Sequence, residues 1–427
     1  MTTSRYLLAA SAAMATAVLL AALLAASARA QTAPATPAAP AAPAAWSDNI
    51  KIGLQIEGGI TFNPAGPKTN FGQLFTDHPN QATLNQALMT FSRDIPKDVT
   101  DWDVGFHFTG LYGSDARYTH SLGVFDYALS ERYQFDVVEA SASVHVPVLV
   151  GLDVKAGIYT TPLGFETIDP STNPFYSHSY IFNFGIPLKH SGVLAVLHAT
   201  DTLDLYGGVD GGENDTFGDQ QGNNDGAVDG LFGFGFTLLG GNLTGVALSH
   251  IGPENPSLGK YQPLGLYNAN HYYRYENDAY VTYKWNDKLS TTTEFNYIKD
   301  ENPLINAPEG WGIAQYAAYT LTDTITLNAR AEVFRDGKGF WVAYFPGTLD
   351  YVNAEYGKYN TAVAGPHATY GEITVGTTWK PDLPKPIGGL LIRPELRYDT
   401  TLAGPNAFNG GKDRGSFTIA TDFVLSF

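Results

Sequence analysis

The sequence predicts an all-β fold: a transmembrane, antiparallel up-and-down β-barrel of about 16 strands, with a long third loop folded into the lumen. Three observations predict it. Apolar and polar residues alternate with period two along many segments of about ten residues, which marks strands with one apolar and one polar face. An export signal opens the chain, and after Ala30 no stretch approaches 18 consecutive apolar residues, so the exported part is expected to hold no membrane helix. The composition is rich in Gly (45), Tyr (25) and Phe (24) and only 16% charged, unlike a helical cytoplasmic enzyme.

In chain order, Arg5 precedes an Ala/Leu-rich run from Tyr6 to Ala26, followed by Ala28-Arg29-Ala30, an A-x-A cleavage pattern. Residues 1–30 therefore read as a signal peptide for Sec-type export. A membrane anchor fits less well, because the run is Ala-rich and the cleavage pattern well formed. Residues 31–45 are nearly all Ala and Pro, cannot bury a core, and read as a linker. From Trp46 to Phe427 no further linker interrupts the chain, so 46–427 read as one barrel domain in the outer membrane of a Gram-negative cell.

The expected strands are 48–62, 86–94, 101–112, 132–146, 151–160, 191–200, 203–210, 229–239, 242–251, 273–285, 288–299, 311–321, 324–335, 369–380, 390–400 and 415–427. Ile325, Leu327, Ala329, Ala331 and Val333 oppose Thr326, Asn328, Arg330 and Glu332. Ile392, Pro394, Leu396 and Tyr398 oppose Arg393, Glu395, Arg397 and Asp399, a polar face unsuited to a soluble core. A soluble sandwich alternates too. The export signal, the aromatic strand ends and the terminal Phe427 favour a membrane barrel, with apolar faces toward outer-membrane lipid and polar faces inward. Phe427 is then the candidate membrane-assembly signal for the barrel-assembly machinery.

Parity sets the strand number. Tight polar turns at Gly240-Gly241, Asn286-Asp287 and Thr322-Asp323 belong to one end, and the long connections fall at the other. Residues 175–184 resemble a strand, but counting them makes the total odd. With Pro162, Pro170, Pro174 and Pro187, residues 161–190 read better as a single loop, either folded into the lumen or lying outside as a lid. In the fourth strand Gln134 and Asp136 have one parity and Glu139, Ser141, Ser143 and His145 the other, so a bulge is expected near Val137-Val138.

Several function classes are excluded. Zero Cys removes disulfides, Cys-ligated zinc, iron–sulfur clusters and thiol catalysis. A net charge of −17 argues against nucleic acid. No nucleophile elbow, H-E-x-x-H or Walker loop occurs. Ser177-His178-Ser179 has hydrolase residue types, yet alternation places His178 opposite its neighbours, so no enzyme is expected. Asp210, Glu213, Asp215, Asp219, Asp225 and Asp229 offer oxygens for calcium but lack the EF-hand pattern and read as a solvated loop. Ten His residues with no helical i, i+4 pair give no argument for zinc, so no metal and no cofactor are expected.

Gly72-Gln73-Leu74, Met89-Thr90-Phe91-Ser92-Arg93-Asp94, Leu111-Tyr112-Gly113-Ser114-Asp115, Pro162-Leu163-Gly164-Phe165-Glu166, Asn173-Pro174-Phe175-Tyr176-Ser177-His178-Ser179-Tyr180, Gly252-Pro253-Glu254-Asn255-Pro256 and Arg330-Ala331-Glu332-Val333-Phe334-Arg335-Asp336 form an ordered set. In them the chain resembles the β-barrel porin-2 (OmpL-like) outer-membrane family over essentially all of 46–427. The resemblance implies an outer-membrane barrel with a porin role and leaves the solute open.

Charge placement supplies the functional signal, because a pore selects through its width and the charges at its constriction. Arg330, Glu332, Arg393, Glu395, Arg397 and Asp399 face the expected lumen, Lys284 shares the parity of Asp278, and Lys155 that of Asp153. The loop carries Glu166 and Asp169, with Lys189 and His190 at its end. Arginines facing loop acids would set a transverse field suited to small dipolar solutes; alternatively, the arginines and wall acids neutralise one another. Residues 46–230 carry 23 acidic and 8 basic residues, and 231–427 carry 19 and 15. The acid excess thus lies in the first half and most inward arginines in the second. The expected function is passive diffusion of small hydrophilic solutes across the outer membrane. The alternatives are a closed structural or adhesive barrel and an envelope-lipid hydrolase. A homo-oligomer is expected by analogy alone.

Overall fold

The computed structural model describes residues 46–427 except 97, 122, 126–130, 217–225, 256–265, 267, 304–305, 343–365 and 385–387. The expected signal peptide and linker, residues 1–45, lie outside the described residues.

Alternation is converted into sixteen strands: β1 (Ile50–Phe62), β2 (Ala82–Arg93), β3 (Asp103–Gly113), β4 (Gln134–Val146), β5 (Gly151–Thr160), β6 (Lys189–Thr200), β7 (Leu203–Glu213) and β8 (Asp229–Leu238), then β9 (Leu243–Pro253), β10 (Tyr273–Lys284), β11 (Leu289–Asp300), β12 (Glu309–Thr322), β13 (Ile325–Asp336), β14 (Ala368–Trp379), β15 (Gly389–Ala403) and β16 (Gly415–Ser426). These are the expected strands, with shifts of a few residues at their ends. Each pairs antiparallel with its sequence neighbours, and β1 closes on β16 with Gln55 opposite Ser426 and Phe62 opposite Ile419. Closure satisfies the backbone of both terminal strands, the condition for a sheet to span lipid. Beyond β16, the Phe427 amide donates to the Leu54 carbonyl at 2.9 Å.

The two faces separate as a membrane barrel requires. On β13, Asn328, Arg330 and Glu332 are buried toward the lumen while Leu327, Ala329 and Ala331 are exposed outside. On β15, Arg393, Glu395, Arg397 and Asp399 point in and Pro394, Leu396 and Tyr398 out. Outward aromatics gather at both rims: Phe62, Tyr112, Phe135, Tyr273 and Trp311 at the long-loop end, Trp285, Tyr319 and Trp379 at the short-turn end. Amphipathic rings at two levels are the interfacial girdles of such barrels. Among the described residues no helix is long and apolar enough to cross a membrane.

Two-residue turns 201–202 and 323–324 share one end with turns 239–242 and 285–288, while connections 63–81 and 161–188 lie at the other. The bulge in β4 is present: Thr109 pairs with Glu139 and Gly110 with Val137, leaving Val138 as the extra residue. That slip lets both Asp136 and Glu139 turn inward despite their opposite parity.

Candidate functional site

An irregular segment inside a barrel has no ladder of its own, so its amides and carbonyls need other partners. Residues 161–188, between β5 and β6, enter the lumen and find those partners on the opposite wall. The chain turns inward at Gly164, in the left-handed region at φ 86°; a Cβ there would lie 2.5 Å from Ile186 Cδ1.

Wall carboxylates accept the loop's amides. Asp278 accepts from the Gly164 N–H at 3.1 Å, and Glu294 from that of Phe165 at 2.8 Å. Glu395 accepts from Tyr176 at 2.9 Å and Ser177 at 3.2 Å. Glu332 accepts from Tyr180 at 2.6 Å and Ile181 at 2.8 Å, the open first turn of the short helix Tyr180–Phe184, whose N-cap Ser179 accepts from the Phe182 amide at 3.0 Å.

Arginines do the converse and donate to loop carbonyls. Arg393 reaches Pro170 at 2.6 Å and Asn173 at 2.9 Å, Arg330 reaches Ser177 at 2.9 Å, and Arg397 reaches His178 at 2.6 Å. Each guanidinium is also ion-paired: Arg330 with Glu166 (2.7 Å) and Glu372, Arg393 with Asp422 and Glu57, Arg397 with Asp399 (2.8 Å). The side chains of Arg330 and Arg397 are 0% exposed. Such charge-assisted bonds are worth roughly twice a neutral one.

Packing completes the seat. The Tyr180 ring stacks on Tyr370 at 5.6 Å and its hydroxyl donates to Asp399 at 2.9 Å. His178 stacks on Phe182 at 4.0 Å, and Phe75 of connection 63–81 lies 5.4 Å from Phe182. Beneath the loop, Phe165 and Pro174 face Thr292, Tyr316, Asn328 and Thr378 across a cavity of about 230 Å³.

The sequence candidates divide accordingly. Arg330, Glu332, Arg393, Glu395, Arg397 and Asp399 are brought together as the loop's cradle, and Glu166 is the loop carboxylate seated on Arg330. Asp169 is exposed, caps the 3-10 turn Pro170–Thr172 and accepts from Gln55 Nε2 at 2.9 Å. Lys155 pairs with Glu139 at 2.8 Å on the wall beside the loop's root, and Lys284 is exposed at the short-turn end of β10. Lys189 is fully buried against Asp136 at 2.7 Å. The acidic 210–229 stretch departs from a solvated loop: Asp210, Asp215 and Asp229 are buried, while Asp219 and Asp225 lie outside the described residues. Around Ser177-His178-Ser179, the Ser177 Oγ faces Arg330, the Ser179 Oγ caps the helix, and His178 Nδ1 lies 2.6 Å from Glu166. Sequence reasoning missed Glu57, Glu294 and Glu372 as partners, although their parity places them inward.

Glu166 gives the loop a pH window. Burial opposes its ionisation, but the Arg330 charge and the bond to His178 outweigh burial and hold its carboxyl at about 2, below the ordinary 4.5. The Tyr316 hydroxyl at 3.1 Å and the Ser179 amide at 3.3 Å also donate to it. A carboxyl depressed in the folded state contributes stability that is complete above 4.5 and lost as pH falls through about 2. The stability difference between wild type and Glu166→Gln should therefore stay constant from neutral pH to about 4.5 and shrink only on further acidification; a difference lost around 4.5 would contradict the pairing.

The model of the family described as "putative beta-barrel porin-2, OmpL-like" matches residues 49–427. The chain belongs to this family. The porin-2 barrel is similar in fold to the outer membrane channel DcaP of Acinetobacter baumannii, at TM-score 0.52 and 12% identity over 88% of this chain and 97% of that one. It is similar to an anion-selective porin from Comamonas acidovorans, at 0.54 and 8% over 88% and 99%. Pseudomonas putida OprB matches at 0.53 and 11% over 89% and 95%. No curated protein matches the chain by sequence. Membership and fold together make this porin-2 chain a porin-like barrel of the bacterial outer membrane.

Proposed function

We propose that the barrel passes small hydrophilic solutes by passive diffusion and that residues 161–188 form its constriction. The observation that carries this reading is the seating of that loop across a polar lumen by Glu166, Glu332, Glu395, Arg330, Arg393 and Arg397. Because each arginine is paired and buried, a pinning role is better supported than a transverse field. The Ser179 Oγ is taken up in capping the helix and His178 Nδ1 lies on Glu166, an arrangement that supports a seated loop and so a channel. The same reading takes in Sec-type export through residues 1–30, a spacer at 31–45, assembly by the barrel machinery through Phe427, and self-association in the membrane.

Liposome swelling with sugars of graded size tests the function. Uptake that falls with sugar size supports the channel. The complete burial of Tyr180, Arg330 and Arg397 favours a second reading, a lumen closed at the loop's level, in which no sugar enters.

A further inference from the structure

Five neighbouring strands turn an acidic or imidazole side chain inward at one height near the long-loop end: His190 on β6, Asp210 on β7, Asp229 on β8, His250 on β9 and Glu276 on β10. Register aligns them, with Asp210 opposite Asp229 and His250 opposite Glu276. Glu254, just past β9, joins the group, and none of the six is more than 2% exposed. Two triads, His190–Asp210–His250 and Asp229–His250–Glu254, each hold their ligand atoms within 4.8 Å of one another. Donors about 2.0 Å from a tetrahedral ion stand about 3.3 Å apart, so small side-chain movements close either set.

The second observation is a group of buried ligand atoms without well-formed hydrogen bonds. His190 Nδ1 and Asp210 Oδ2 lie 3.4 Å apart in poor hydrogen-bond geometry, and neither Asp229 oxygen nor Glu254 Oε2 has a well-formed donor, the two carboxyls lying beside each other. His250 Nε2 borders the same space, hydrogen-bonded to Asp210 Oδ1 at 3.0 Å and 3.9 Å from Asp229 Oδ2. The far nitrogens are held from behind, His190 Nε2 by Thr161 Oγ1 at 3.0 Å and His250 Nδ1 by Glu276 at 3.1 Å. Backing of this kind fixes the tautomer and aim of imidazoles that ligate metals. Gly252 makes room for the cluster, since a Cβ there would lie 1.9 Å from Asp229 Oδ1.

Charge gives the third argument. Asp210, Asp229, Glu254 and Glu276 face two imidazoles, while the adjacent Arg274 is already engaged by Glu213 (2.5 Å) and Asp300 (3.0 Å). Unbalanced buried carboxylates are costly, and a bound cation removes that cost. We propose that His190, Asp210 and His250, with Asp229 and Glu254 beside them, bind a divalent transition-metal ion of the zinc class. Two imidazoles select against calcium and magnesium, which take oxygen donors, and the mixed N/O set suits borderline ions.

The test uses the full barrel, stripped with chelator in detergent and titrated calorimetrically with zinc and, separately, with calcium. Wild type should bind one zinc per chain in preference to calcium and unfold at a higher temperature when loaded. His250→Ala and His190→Gln should each lose at least about tenfold in zinc affinity. His198→Ala should bind as wild type, because His198 pairs with Asp204 and Asp153 at the other end of the barrel. Absence of stoichiometric zinc binding by wild type, preference for calcium, or unchanged affinity in both folded His variants would overturn the proposal. The wild-type titration decides even where a variant fails to fold.

Discussion

Arg330→Ala should raise single-channel conductance and lower the unfolding midpoint of the detergent-solubilised barrel. The guanidinium joins Glu166 of the loop to Glu372 of β14 and donates to the Ser177 carbonyl. Its removal takes the nearest cation from two buried carboxylates and the donor from one loop carbonyl, a defect that costs about 3–5 kcal/mol where a buried pair is broken. The loop can relieve the repulsion by leaving the wall, which widens the path. Glu166→Gln should be milder, because the amide still accepts from Arg330 and Tyr316. The double variant should cost less than the two single losses added, since the second change removes a charge the first left unpaired. A conductance unchanged from wild type, with an unchanged midpoint, would mean that this pairing does not hold the loop.

Arg393→Ala should destabilise the barrel by a comparable amount, about 3–5 kcal/mol, with a different signature. Arg393 on β15 bonds Asp422 on β16 and Glu57 on β1, so it ties the three strands around the closure, and it holds the Pro170 and Asn173 carbonyls. Unfolding rate should rise together with conductance. Arg393→Lys keeps the charge but loses the planar fork, so it should recover only part of the loss. Heat-modifiability on gels reads the stability and planar bilayers the conductance; full recovery with lysine would show that charge alone suffices.

The strands were legible because lipid and lumen impose opposite demands at every second residue. Leu327 and Arg330 cannot exchange faces, and a single parity slip at Val138 was enough to place a bulge. Strand ends were less legible where that contrast fades: β2 begins at Ala82 and β15 runs to Ala403, beyond the expected 86 and 400. Parity also showed that Arg393, Arg397 and Lys284 face inward, yet it carries no height. Lys284 thus sits at the short-turn rim while the arginines lie under the loop. The loop's seat was illegible for another reason. Glu332 and Glu395 bind backbone amides of residues 176–181, and a bond to backbone leaves no residue pattern in the partner. The His190–Asp210–His250 cluster required the register of four consecutive strands, information that lies in the pairing and not in any local motif.

The central claim is that residues 161–188 are the constriction of a channel. Planar-bilayer conductance of wild type beside a variant with 165–186 replaced by a short Gly/Ser link measures it most directly. The wild-type barrel should show small unitary steps and the variant steps several-fold larger, because the arginines and acids of the wall then line open water. Equal steps in both proteins, or no conductance from either, would contradict it.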